Sequence, residues 1–280
     1  MTNPRSPSIA LVILLVQVGW LGSFAHAASS TEAVWPDATR CAVSLTYDDS
    51  VPIHHQRVAP LLEQHNLRGT FYLSISTMES PAAWKSVAAH GHELGNHSLF
   101  HPCRRDAGNE AWLAADYDLG NYSPKRFRDE LRVANVVFDL LDGGKPRTYG
   151  NTCTNLTIGR GEAEQPMDPI LDELFVASRG TITNQPVDPR QPAFTRLGHY
   201  SGDSKTFEQL RAEIEAARAQ GTWIIYMFHG VGEGTHGLFV DADEHRKLIE
   251  WLDQERASIW TAPVVDVARR LKSTASTKAH

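Results

Sequence analysis

The sequence is poor in cysteine, with three in 280 residues: Cys41, Cys103 and Cys153. That is too few for a disulfide framework, so the fold must rest on a hydrophobic core. Positive charge is not in excess either. The 27 basic against 33 acidic side chains give a net charge of −6, which argues against nucleic acid as a partner. There is no repeat, low-complexity tract, block of like charge or internal linker, so one domain is expected. No G-x-S-x-G segment exists, which removes a serine esterase of the α/β-hydrolase type. The segment Gly230-Val231-Gly232-Glu233-Gly234 misplaces the third glycine of a dinucleotide-binding loop.

Long apolar runs are absent except at the amino terminus. There Arg5 is the only charge before an apolar stretch from Ile9 to Leu21, which ends in Phe24-Ala25-His26-Ala27. That is the pattern of a cleaved export signal, with cleavage expected after Ala27. A spanning helix needs about 20 predominantly apolar residues, and this run is shorter and broken by Gln17 and Gly22. An uncleaved anchor is the competing reading. Cleavage takes away Arg5 and no acid, leaving 26 basic against 33 acidic residues, a net of −7 (26 − 33). The expected organisation is a signal peptide at 1–27, a lead-in at 28–40, a catalytic domain at 41–272 and a polar tail at 273–280. The product is exported, periplasmic or secreted, with no stable membrane insertion after cleavage.

Export permits one disulfide and leaves one thiol over. Cys41 is the odd one, because Cys41-Ala42-Val43-Ser44-Leu45 reads as a buried strand in which a free cysteine behaves as a small hydrophobe. Cys103 and Cys153 lie in polar loop sequence, and a bridge between them and three reduced thiols are equally open readings.

Strand and helix signals alternate. Strands are expected at Cys41–Thr46, Gly69–Leu73, Glu93–Asn96, Arg147–Gly150, Phe175–Ser178, Thr222–Phe228 and Ile259–Thr261. Helices are expected near Gln56–His65, Ala82–His90, Lys125–Leu141, Phe207–Ala219 and Ala242–Arg256. The clearest is Lys125–Leu141: Ser123 can cap it, Pro124 fills its first turn, and Gly143-Gly144 stops it. Alternating units imply a mostly parallel sheet, wound open or closed into a barrel, with active residues at the carboxyl ends of strands.

Three strand ends carry chemistry. The first runs into Asp48-Asp49, which taken alone reads as an ordinary acidic turn. The third runs into Asn96-His97-Ser98-Leu99-Phe100-His101, two imidazoles four residues apart that a helical turn would place on one face, able to reach one ion. The apolar strand Thr222–Phe228 ends in His229. One carboxylate and two imidazoles suit a divalent ion, leaving a carboxylate and an imidazole for proton transfer in a hydrolysis. Spacing does not say which aspartate binds metal.

The T-Y-D-D segment at 46–49, the H-S-x-x-H segment at 97–101 and the late strand ending in His229 resemble, in order and spacing, the NodB-type polysaccharide deacetylases of carbohydrate esterase family four. Leu67–Leu73, Gly91–His97 and Trp260–Val264 support the likeness, which spans most of residues 41–270. The resemblance implies a distorted (β/α) barrel of about seven parallel strands. It implies Asp48 as general base, Asp49, His97 and His101 as metal ligands and His229 as general acid. An Asp-His-His set suits zinc, with cobalt or nickel as alternatives. The implied reaction removes N- or O-linked acetyl groups from a polysaccharide or oligosaccharide, of chitin or peptidoglycan type or of xylan type.

The chain departs from the family at Ser50, where glycine is common, and at Arg147-Thr148-Tyr149-Gly150-Asn151-Thr152-Cys153-Thr154, where the family's base-orienting arginine has no clear counterpart. Arg179 or Arg147 is available to replace it, or to make a surface salt bridge. The backbone N–H of Cys153 is the candidate oxyanion donor. The resemblance also places the Cys103 and Cys153 segments at one barrel mouth, so that their Cα atoms could fall within the roughly 4.4–6.8 Å that a disulfide allows, and a Cys103–Cys153 bridge is expected. Trp84, Trp112 and Tyr122 are candidates for stacking on sugars. His236 and the pair His54-His55 read as loop bystanders. Two rival classes remain. A non-haem iron oxygenase shares the ligand set but not the β/α alternation, and a non-catalytic carbohydrate-binding relative would keep the metal site without the chemistry.

Overall fold

Strand β1 (Cys41–Tyr47) is buried along its whole length, and its two faces differ. Cys41, Val43, Leu45 and Tyr47 join an apolar cluster with Val58, Leu62, Leu210 and Leu248. Ser44 and Thr46 point the other way, where Trp223 Nε1 donates to Ser44 Oγ (3.0 Å) and Arg179 to Thr46 Oγ1 (2.7 Å). This period of two sends Asp48 inward after Thr46, into a barrel with a polar interior.

The computed structural model describes Met1, residues 34–106 and residues 108–277. The expected signal peptide therefore lies, Met1 apart, outside the described residues. The described residues from 34 onward form one unit. The strands of its main sheet are β1, β2 (Thr70–Leu73), β3 (Glu93–Asn96), β4 (Tyr149–Gly150), β5 (Ser178–Ile182), β6 (Leu197–Ser201), β7 (Trp223–Phe228) and β8 (Ile259–Thr261). Each of the first six pairs in parallel with the next, and β7 returns to β1 over Ala42↔Trp223 to Tyr47↔Phe228, closing a barrel. β8 lies against the first half of β1 (Cys41↔Ile259 to Val43↔Thr261), while β2 takes the second half (Thr46↔Thr70, Tyr47↔Phe71). The eighth strand thus acts as a wedge that distorts the closed sheet, and the expected fold class holds.

Helices α1 (Ala59–Gln64, after a π-helical turn His54–Val58), α2 (Pro81–Ala89), α3 (Pro124–Asp142), α4 (Asp168–Leu174), α5 (Phe207–Gln220), α6 (Ala242–Gln254) and α7 (Val264–Thr277) run outside the strands. Ser123 caps α3 by accepting from Arg126 N, and Gly143 ends it in the left-handed region at φ 79°. The capping box of Thr206 and Gln209 is formed at α5.

Several expectations need correction. The strand expected at Phe175–Ser178 occupies Ser178–Ile182, because Phe175 and Ala177 are drawn into apolar clusters before the sheet begins. β6 was not legible: Leu197-Gly198-His199-Tyr200-Ser201 carries polar residues on an interior face. The helix α7 was missed too, and it runs to Thr277, so the polar tail from Ser273 begins as helix. Buried Glu93 explains how α7 is fastened. Its carboxylate accepts from Thr70 Oγ1 (2.7 Å), Thr148 N (2.7 Å) and the first-turn amide Val265 N (3.0 Å). Such bonds offset the cost of desolvating the group.

Candidate active site

The strand ends deliver their side chains to one cleft of about 1040 Å³, lined by Asp48, Asp49, His97, His101, Cys153 and His229 among others. Asp48 continues the inward alternation of β1 and is 2% exposed. Arg179, on β5 and fully buried, forks onto it: Nη1 donates to Oδ1 at 2.8 Å and Nη2 to Oδ2 at 2.5 Å. Burial alone would raise the Asp48 carboxyl, but the Arg179 guanidinium outweighs it and holds the group below its usual range. Arg179 in turn lies over the Tyr72 ring, 4.8 Å from its centroid. Tyr72 has room because a Cβ at Gly95 or Gly150 would meet its ring at 2.4 and 2.8 Å. Arg147, the other candidate, pairs with Asp139 and Asp142 of α3 and takes no part in the site.

At Asp49 the backbone turns left-handed (φ 72°), which carries this carboxylate out of the barrel axis. Its Oδ1 lies 3.1 Å from His101 Nε2 and 3.4 Å from His97 Nε2. Oδ1 is buried and has no hydrogen-bond partner, so three ligand atoms face one another without mutual hydrogen bonds. That fits a shared cation. The three ligand atoms lie within 4.8 Å of one another. His97 Nδ1 donates to Gly150 O (2.7 Å), leaving the lone pair of Nε2 for an ion. The helical turn that the spacing predicts between the two histidines is not formed. Ser98 (φ 71°) and His101 (φ 53°) are both left-handed, and that irregular loop, rather than helical spacing, brings the rings together. Among the described residues, twelve non-glycine positions have positive φ, and Asp49, Ser50, Ser98, His101, Cys153 and Thr154 are six of them. Strain concentrated in this way is a mark of functional sites. Ser50 (φ 58°) stands where glycine would be most at ease, and its hydroxyl is tied to Ser74 by a donated (3.1 Å) and an accepted (2.9 Å) bond.

His229, at the end of β7, is oriented by Asp203, which the sequence reading missed. Nδ1 bonds Asp203 Oδ2 at 2.6 Å, and the backbone N–H of His229 donates to Oδ1 at 3.0 Å. Burial would lower the His229 imidazolium, but Asp203 and then Asp48 raise it above its ordinary value. Asp203 follows β6, so the unread strand concealed the residue after it. His54 is no bystander either: its ring bonds the His229 carbonyl through Nε2 (2.5 Å). Cys103 and Cys153 are joined in a disulfide, with Cα atoms 5.7 Å apart, and Cys103 Sγ lies 3.6 Å from His101 Nδ1. Cys41 is a free, buried thiol, pushed up to about 12 by burial. Of the three aromatic candidates, Trp84 and Tyr122 belong to the core, while Trp112 is 59% exposed and lines the cleft.

A sequence model of the family described as polysaccharide deacetylase matches residues 36–152, which contain Asp48, Asp49, His97 and His101 but not Arg179, Asp203 or His229. The chain is 25% identical over 260 residues to a gellan lyase of a Bacillus species, covering 85% of this chain and 10% of that protein. It is 32% identical over 142 residues to a peptidoglycan-N-acetylglucosamine deacetylase of Bacillus cereus, covering 49% of this chain and 44% of that one. The chain therefore spans less than half the length of either relative. In fold it is similar to a Mycobacterium smegmatis protein assigned to the polysaccharide deacetylases, with a TM-score of 0.59 and 17% identity over 86% of this chain and 93% of the other.

Proposed function

We propose that this chain, a relative of the NodB-type polysaccharide deacetylases by motif and by fold, is an exported hydrolase that uses a divalent ion to remove acetyl groups from a polysaccharide. The observation that carries the reading is Asp49 Oδ1, buried without a hydrogen-bond partner between His97 Nε2 and His101 Nε2. Asp49, His97 and His101 would hold the ion, zinc by preference and cobalt or nickel as alternatives. When bound, it would polarise the acetyl carbonyl and acidify a water.

The chain's own groups account for the proton movements. Asp48, kept ionised by Arg179, accepts the proton of the attacking water. His229, fixed through Nδ1 by Asp203, presents Nε2 to the cleft and returns a proton to the departing nitrogen or oxygen of the sugar. The Cys153 backbone, held left-handed (φ 48°) beside its disulfide, would supply the N–H for the oxyanion. Trp112 offers an exposed ring at the cleft wall for a sugar face. A carbohydrate-binding relative without catalysis would have no use for two separately oriented proton-transfer groups, which is why catalysis is preferred. The proposed maturation, cleavage after Ala27, frees a domain over residues 41–272. Among the described residues no helix is long and apolar enough to cross a membrane.

The test is acetate release from acetylated chitin, peptidoglycan and xylan oligomers by chelated enzyme with each metal added back. Release that depends on metal and is lost in Asp48→Asn supports the reading. Binding of an oligomer without acetate release under any metal would replace it with the carbohydrate-binding one.

A further inference from the structure

The turn after β7 carries a histidine to which the proposed reaction gives no task. Gly230–Val231 pairs in parallel with Phe239–Val240, and the segment between them lays His236, Gly237 and Leu238 into the cleft wall. The packing is close: a Cβ at Gly230 would meet Thr235 Oγ1 at 2.5 Å and His236 Cβ at 2.9 Å. The His236 ring lies parallel to that of His229, with centroids 5.1 Å apart and planes 9° from each other. Its Nε2 is 3.6 Å from Asp49 Oδ2, the carboxylate oxygen that does not face His97 and His101.

His236 Nδ1 lies 3.0 Å from both Leu238 N and Leu238 O, and that oxygen also accepts from Gly230 N at 2.9 Å. In the tautomer in which Nδ1 accepts from Leu238 N–H, the ring proton is on Nε2, facing Asp49. At 3.6 Å the contact is electrostatic, and a shift of roughly half an ångström closes it to hydrogen-bond length.

We propose that His236 is a positioning residue for the metal site: its Nε2–H holds Asp49 Oδ2 and so keeps Oδ1 turned toward His97 and His101. This rests on the metal reading above. A ligating carboxylate whose second oxygen is held loses less freedom on binding an ion, and removal of such outer partners weakens metal by about 10–100-fold.

The experiment is competition for zinc against a chromophoric chelator, with the wild type, His236→Ala, His236→Gln and His97→Ala. His236→Ala is expected to weaken zinc by about 10–100-fold. His236→Gln, which keeps a donor, is expected to recover part of the loss, and the unfolding midpoint of the metal-free protein should not move. A zinc dissociation constant for His236→Ala within about twofold of wild type overturns the proposal while leaving the metal site intact. So does a metal-free midpoint that falls with the affinity, since His236 would then be merely structural. A wild type that takes up no zinc overturns both this proposal and the metal reading beneath it.

Discussion

Arg179 holds both carboxylate oxygens of Asp48 from 131 residues away, across the interior of the barrel. A charge buried in this way depends on its partner, and removing one member of such a pair costs about 3–5 kcal/mol. Arg179→Met is therefore expected to lower the unfolding free energy by an amount of that order, read by denaturant titration, and to abolish turnover. Arg179→Lys should be poor as well, because an ammonium cannot fork onto two oxygens. Near-normal stability and turnover in both variants would show that the pair does not orient the base.

Loss of Asp48 itself has a different signature. Asp48→Asn keeps the shape and the metal ligands but cannot accept the proton, so turnover should fall by about 10²–10⁴ with a full equivalent of metal retained. His229→Ala should behave likewise. In His97→Ala, by contrast, elemental analysis should find the tightly bound ion gone, and a full equivalent there would remove His97 from the ligand set.

Asp203 supplies the clearest pH prediction. It is the largest of the influences that raise the His229 imidazolium against the opposing effect of burial. As the proposed proton donor, His229 must be charged, so activity is expected below its pKa and is lost as pH rises through it. Asp203→Asn removes the raising charge, and the alkaline limb of kcat/KM should move to lower pH. An unmoved limb would mean that another group sets it.

The site was half legible in the sequence, for physical reasons. Asp48, Asp49 and His229 stand just after strands whose apolar runs announce them, and His97 and His101 show as paired imidazoles after Glu93–Asn96. Arg179 was visible only as one of two arginines, since nothing local tells a guanidinium that enters a barrel from one that, like Arg147, lies against a neighbouring helix. Asp203 was invisible because β6 is not apolar: His199 is fully buried in it yet reads as a surface residue. The convergence of His97 and His101 was expected from helical spacing, yet it is produced by left-handed backbone at Ser98 and His101. Periodicity cannot report such turns.

The bridge between Cys103 and Cys153 spans a sequence separation of 50, for which the chain-entropy model gives roughly 4 kcal/mol as an upper figure. Cys153→Ser should lower the unfolding free energy by about 2–4 kcal/mol. Alkylation of the denatured, unreduced protein should label Cys41 alone, and a count of three labelled thiols would refute the bond.

The barrel is sealed where β1 meets β7, a contact typified by Thr46 Oγ1 donating to Tyr226 O across 180 residues of chain. Pairing so remote in sequence is slow to find, because the ends of a long loop must meet before any contact rewards them. A nascent chain therefore cannot complete this sheet until nearly all of it has been synthesised. Until then the polypeptide has no closed core, the state that the proposed export would need for passage across a membrane before folding.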